Sequence, residues 1–126
     1  MRKVVQSESV PRPAAPYSPG ILTENFVFTS GQIAFDPATG KIVEGGIKEQ
    51  TRQVMENLRA VLDAAGTDFS RVVKATVFLA DINDFSQVNE VYGEYFPQDP
   101  PARSAFQVGA LPLGARVEIE MIALAG

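Results

Sequence analysis

The sequence predicts an α+β fold, a two-layer sandwich in which a mixed sheet carries two helices packed on one face. Three observations carry that reading. Two segments, Ile47 to Ala65 and Asp84 to Phe96, repeat apolar residues with a helical period. Four others alternate or run apolar as strands do: Asn25 to Ala34, Val72 to Ala80, Arg103 to Val108 and Arg116 to Leu124. Their order is strand, helix, strand, helix, strand, strand, and two helices are too few to cover both faces of such a sheet. Residues 1–126 read as a single domain, with length for one core and no internal repeat or linker.

Lys3 to Gln6 suits a short edge strand. Pro11, Pro13, Pro16 and Pro19 then force an extended loop, because proline supplies no N–H to a helix interior or a central strand. In Asn25 to Ala34 the pair Ser30-Gly31 interrupts the apolar run, which predicts a bulge or a close backbone approach. Asp36-Pro37-Ala38-Thr39-Gly40 is a turn. The first helix presents Ile47, Val54, Met55, Leu58, Val61, Leu62 and Ala65 on one side, and Gly66 suits its C-cap. In the next strand Val73, Ala75, Val77 and Leu79 read as one face, with Val72, Lys74, Thr76 and Phe78 on the other. Asp84 suits the N-cap of the second helix, whose stripe is Phe85, Val88, Val91, Tyr92, Tyr95 and Phe96. Pro97 ends it, and Pro100-Pro101 keeps the following loop extended.

Composition removes several kinds of chemistry. The chain has no cysteine and no histidine, so thiolate catalysis, Ser-His-Asp catalysis and the usual zinc sites are excluded. Acid–base work falls to Asp, Glu, Lys, Tyr or water. No metal or cofactor is implied. The net charge of −4 and the scattering of eleven Lys and Arg residues argue against a grip on nucleic acid. No apolar run reaches membrane-spanning length, so no membrane partner and a cytoplasmic location are the default expectations.

The candidate chemistry lies in the last two strands. In Arg116 to Ala123, Val117, Ile119, Met121 and Ala123 read as facing the helices, and Arg116, Glu118, Glu120 and Ile122 as facing away. Glu118 and Glu120 then sit about 7 Å apart on one face. In Arg103 to Val108, Ser104, Phe106 and Val108 read as the core side, which puts Arg103, Ala105 and Gln107 on the other. If these two strands pair, Arg103 and Glu118 share a sheet surface. Arginine's planar fork suits a carboxylate. Pattern alone leans slightly toward a plain Arg–Glu ion pair at an interface, and toward a solvated, paired Glu120. Ser30, Gly31, Tyr17 and Asn89 each admit a ligand role beside a structural one: a bulge, an apolar plug, a helix amide capping a strand end. The face away from the helices carries Val72, Phe78, Ile122 and one side of Phe26-Val27-Phe28, and such a surface predicts a homo-oligomer.

Taken together, Ala15-Pro16-Tyr17 with Gly20, Thr29-Ser30-Gly31-Gln32, Gln53 to Leu58, Val73 to Leu79, Asn83-Asp84-Phe85, Val88-Asn89, Pro101-Ala102-Arg103-Ser104 and Val117 to Ala123 resemble the Rid (YjgF) family of enamine/imine deaminases nearly end to end. The resemblance implies a chorismate-mutase-like fold and a homotrimer with clefts between subunits. It implies hydrolysis of 2-imino acids, such as 2-iminobutanoate or 2-iminopropanoate, to 2-ketoacids and ammonia. Arg103 falls on the family's carboxylate-binding arginine and Glu118, rather than Glu120, on its water-positioning glutamate. Tyr17, Ser30, Gly31, Asn89 and the backbone at Ala105 fall on the remaining site positions. Many relatives carry Cys or Thr where this chain has Ala105, so a thiol role there is excluded. The same residues also fit a non-catalytic small-acid sensor or a chaperone-like trimer. Ribonuclease activity, attached to some relatives, is disfavoured by the acidic balance and the absence of histidine.

Overall fold

The structure, a computed structural model, describes residues 1–10 and 12–126. Pro11, the first residue of the expected proline loop, lies outside the described residues. The strands are β1 (Lys3–Val5), β2 (Gly20–Leu22), β3 (Phe26–Thr29), β4 (Phe35–Asp36), β5 (Lys41–Ile42), β6 (Val72–Leu79), β7 (Ala102–Gln107) and β8 (Val117–Leu124). The helices are α1 (Ile47–Ala64) and α2 (Phe85–Glu94). Six strands form one sheet in the order β1-β2-β3-β8-β6-β7, and β4 pairs with β5 in a small hairpin around the Asp36–Gly40 turn. Among the described residues only β6 and β7 run parallel. The connection between them contains α2, as a parallel pair requires. Among the described residues no helix is long and apolar enough to cross a membrane.

Both helices pack on one face of the sheet. Val54, Met55, Leu58 and Leu62 of α1 and Val88 and Tyr92 of α2 meet Val27, Ala75, Val77, Leu79, Val117, Ile119, Met121 and Ala123 in one buried cluster. The expected α+β sandwich is therefore the observed one. α1 ends one residue earlier than its apolar period. Gly66 adopts φ +79°, the left-handed conformation that closes the helix, and its N–H donates to the Asp63 carbonyl.

Three local expectations give way to the structure. Asp84 makes no cap hydrogen bond. Its buried carboxylate instead accepts from Arg116 Nη2 at 3.1 and 2.9 Å, and Asp81 caps the preceding 3-10 turn. Arg116 thus reaches back to the start of α2 rather than joining the row of Glu118 and Glu120. In β6 a register shift between Val72 and Lys74 turns Val72 into the core and leaves Val73 exposed, the reverse of strict alternation.

The third correction concerns β7. The parallel register aligns Ser104 with Thr76 and Phe106 with Phe78, while Arg103 and Ala105 align with the buried Ala75 and Val77. Arg103 and Ala105 therefore face the helices, and Ser104 and Phe106 face away. Phe106 is 46% exposed and packs edge-on against Phe78 at 5.4 Å. An apolar residue marks the core side only when the other side is polar. Here the uncovered face carries Phe26, Phe28, Phe78 and Phe106 as well.

Candidate functional site

The interruption at Ser30-Gly31 builds one half of the candidate site. Between Phe28 of β3 and Gln32 lie three residues, whereas the partners Ile122 and Ile119 on β8 are separated by only two. One residue is extra, which is the definition of a bulge. Thr29 Oγ1 accepts the Met121 N–H at 2.9 Å, so a donor from the disturbed ladder is still satisfied. Gly31 sits at the displaced point. A Cβ there would overlap the Glu118 carboxylate, with Glu118 Cδ at 2.8 Å. The glycine is needed for close approach rather than for an unusual backbone angle.

Glu118 lies half-buried in a cleft of about 460 Å³ with Tyr17, Ser30, Gly31 and Glu120. Ile33, Phe35, Pro112 and Leu113 complete its apolar wall. Among the described residues Glu118 forms no hydrogen bond or ion pair. Burial, and then the neighbouring charge of Glu120, hold its carboxyl above the usual carboxylate range. Glu120 has no ion-pair partner among the described residues either, so the expected pairing with Lys or Arg is not made within the chain. Ser30 Oγ donates to the Ser18 carbonyl at 2.6 Å and its N–H donates to the Pro19 carbonyl at 2.9 Å, which ties the proline loop to the bulge. Tyr17, in that loop, is 55% exposed.

Because Glu120 acts on Glu118 through charge, Glu120→Gln is expected to lower the Glu118 pKa and to move the acid limb of any Glu118-dependent activity to lower pH. A pH–rate profile of the two proteins checks this; a limb that stays put would show that Glu120 does not tune the group. Gly31→Ala should displace the Glu118 carboxylate, which is the far end of a flexible side chain. Activity is therefore expected to fall about 10- to 100-fold through misplacement of a reacting group, while thermal melting changes little.

The other half lies at the β7 edge. Arg103 Nη1 donates to Asn89 Oδ1 at 2.8 Å, and the guanidinium lies 4.9 Å from the Tyr92 ring centre and 5.4 Å from that of Phe85. The remaining guanidinium donors carry no hydrogen bond to described residues. Val108 N–H donates to the Leu79 carbonyl, toward β6. Alternation along the strand then turns the Ala105 N–H to the open edge, beside Arg103.

The two halves do not meet within one chain. β6 lies between β7 and β8, so the expected pairing of the last two strands does not occur. Arg103 belongs to the Ala75 row on the helix face, and Glu118 to the Phe78 row on the uncovered face. With three rows of ~3.3 Å and two strand spacings of ~4.8 Å between them, their Cα atoms are about 14 Å apart on opposite sides of the sheet. The expectation of one shared surface is therefore corrected, and an Arg103–Glu118 ion pair inside the chain is excluded. Sequence reasoning also missed Phe85 and Tyr92 as neighbours of Arg103, and Gln32, Ile33, Phe35, Pro112 and Leu113 as cleft residues. The aromatics were visible only as a core stripe, and Leu111 to Gly114 only as a connector. Among the described residues no group of three His, Cys, Asp or Glu side chains is arranged to hold a metal ion.

The family model described as Endoribonuclease L-PSP, the Rid/YjgF family, matches residues 7–125. The chain belongs to the Rid family. A bovine protein named 2-iminobutanoate/2-iminopropanoate deaminase is 51% identical over 126 residues, covering 100% of this chain and 92% of its own length. Among solved structures, a putative endoribonuclease from Thermotoga maritima superposes with a TM-score of 0.96 at 44% identity, covering 100% of this Rid chain and 99% of its own. Escherichia coli TdcF, solved with bound serine, does so with a TM-score of 0.93 at 38% identity, covering 98% and 99%.

Proposed function

We propose that this Rid-family chain is a hydrolytic deaminase of 2-imino acids, converting 2-iminobutanoate or 2-iminopropanoate to the 2-ketoacid and ammonia. The reading rests on one observation above all: Glu118 keeps an unpaired, partly desolvated carboxylate in a cleft that also holds Tyr17, Ser30 and Gly31. The bovine relative's name supports it, as does the serine bound to TdcF, a small amino acid with a carboxylate.

In this reading Arg103 takes the substrate carboxylate through its fork, aided by the Ala105 N–H, with Asn89 orienting the guanidinium. Glu118 holds a water against the imine carbon and accepts its proton as the C–O bond forms. That proton then passes to nitrogen, and as the C–N bond breaks Glu118 takes the proton of the new hydroxyl, so that ammonia leaves and the 2-ketoacid carbonyl forms. The iminium carbon is already electrophilic, so the chemistry calls for no metal or cofactor. Arg103 of one copy and Glu118 of another serve one substrate, because within a chain they face opposite ways. A homotrimer with three intersubunit clefts meets that requirement, and the exposed Phe26, Phe28 and Phe106 supply apolar surface for its formation.

The test couples the purified protein to a pyridoxal-phosphate dehydratase acting on threonine or serine. Faster loss of the imine, with ketoacid and ammonia formed in equal amounts, supports the assignment. Ketoacid binding without acceleration supports a sensor instead. Cleavage of RNA that is lost on altering Arg103 or Glu118 supports the activity in the family model's description.

A further inference from the structure

We propose that Tyr92 is a positioning residue for Arg103: its ring, together with that of Phe85, forms an aromatic floor on α2 that fixes the plane of the guanidinium. The inference rests on the reading of Arg103 as the carboxylate-binding group and deepens it. Phe85, Asn89 and Tyr92 are spaced four and three residues apart, which aligns them in one stripe along the helix. All three reach the same guanidinium, Asn89 by a hydrogen bond at 2.8 Å and the rings at 5.4 and 4.9 Å from their centres. A cation within about 6 Å of a ring centre is attracted by the ring's negative face. One hydrogen bond alone leaves a guanidinium free to pivot about it. Two rings in the same helical stripe restrict that motion and leave the outer donors for a ligand.

The Tyr92 hydroxyl is not what holds the arginine. Tyr92 is 5% exposed, and among the described residues its oxygen is the buried side-chain polar atom that lacks a hydrogen-bond partner. Burial pushes the hydroxyl up to about 12, with the Arg103 charge opposing. It therefore stays neutral at working pH and neither takes up the arginine's charge nor moves a proton. The ring remains as the interacting part.

The experiment compares Tyr92→Leu, Tyr92→Phe and Phe85→Leu with the parent protein, in imine turnover and in calorimetric binding of the 2-ketoacid product. Tyr92→Leu is expected to raise KM and the ketoacid Kd about tenfold while kcat stays within about twofold, the signature of lost carboxylate binding. Tyr92→Phe keeps the ring and is expected to restore both constants. Phe85→Leu, on the exposed side of the floor, should weaken binding in the same direction and carries the test if Tyr92→Leu does not fold. Unchanged KM and Kd in folded Tyr92→Leu overturn the proposal, and so does an equal loss in Tyr92→Phe, which would assign the effect to the hydroxyl. If the parent protein neither binds ketoacid nor consumes imine, the carboxylate reading itself falls and takes this inference with it. If the parent protein binds and Tyr92→Leu binds equally well, only the floor is refuted.

Discussion

Arg103→Ala is expected to lower kcat/KM for 2-iminopropanoate by about 10³-fold and to leave the protein folded. Two charge-assisted hydrogen bonds from the fork to a carboxylate contribute about 4 kcal/mol together, at roughly 2 each, and about 1.4 kcal/mol corresponds to a factor of ten. The fold has little stake in this side chain. Arg103 is half-buried on an edge strand, its one hydrogen bond goes to Asn89, and it forms no ion pair among the described residues. Removing it therefore strands no buried counter-charge, the circumstance that makes most buried-arginine deletions severe. Arg103→Lys separates charge from geometry. The ammonium keeps a positive charge but loses the bidentate fork and its fit over the rings, so its kcat/KM should fall between those of the parent and Arg103→Ala. Steady-state kinetics in the coupled assay, with size-exclusion chromatography of each variant, checks both effects. Wild-type turnover in a well-folded Arg103→Ala protein would remove Arg103 from the site.

Much of the layer architecture was legible because it follows from period. α1 repeats at helical spacing over five turns, and Ile47, Val54, Met55, Leu58, Val61 and Leu62, which the spacing selects, are all buried, while the polar Gln50, Thr51 and Asn57 are buried beside them without having been selected. The break at Ser30-Gly31 was legible as a glycine in an apolar run, and both consequences expected of it, a bulge and a close approach, occur together. The facing of β7 was not legible. Alternation says which residues share a face but not which face is the core, and Phe106 misleads because this sheet is apolar on both sides. That one ambiguity moved Arg103 from the helix face to the uncovered face. It also hid that Arg103 and Glu118 face opposite sides of the sheet within one chain. β2, β4 and β5 were missed because two or three residues hold too little pattern to register. Arg103 and Glu118 themselves were picked out by motif, whereas Phe85 and Tyr92 have the same spacing whether they fill a core or support a guanidinium.

Glu118→Gln is the second variant with a large expected effect, and it should move activity and stability in opposite directions. A positioned general base contributes about 10² to 10⁴ in rate, so kcat is expected to fall about 10²- to 10³-fold. Stability responds to the raised pKa. Burial, and then the charge of Glu120, make the folded chain hold the Glu118 proton more tightly than the unfolded chain does. Folding is therefore opposed as pH rises from the unfolded pKa toward the folded one, and the opposition is complete above the folded value. An amide carries no such penalty. Glu118→Gln should melt at a higher temperature than the parent at neutral pH, and the difference should shrink as pH falls below the ordinary carboxylate range, where Glu118 is protonated in both states. A well-tolerated substitution on an ordinary surface would give no pH-dependent gain, and a glutamate fixed in a structural ion pair would give a loss. A protein that loses turnover while gaining melting temperature at neutral pH alone identifies Glu118 as a carboxylate held ionised in its cleft against the preference of the fold, as a stability–activity trade-off requires. Equal melting at every pH would show that the cleft does not perturb the group, and would leave its unpaired charge in the Gly31 notch without a chemical role.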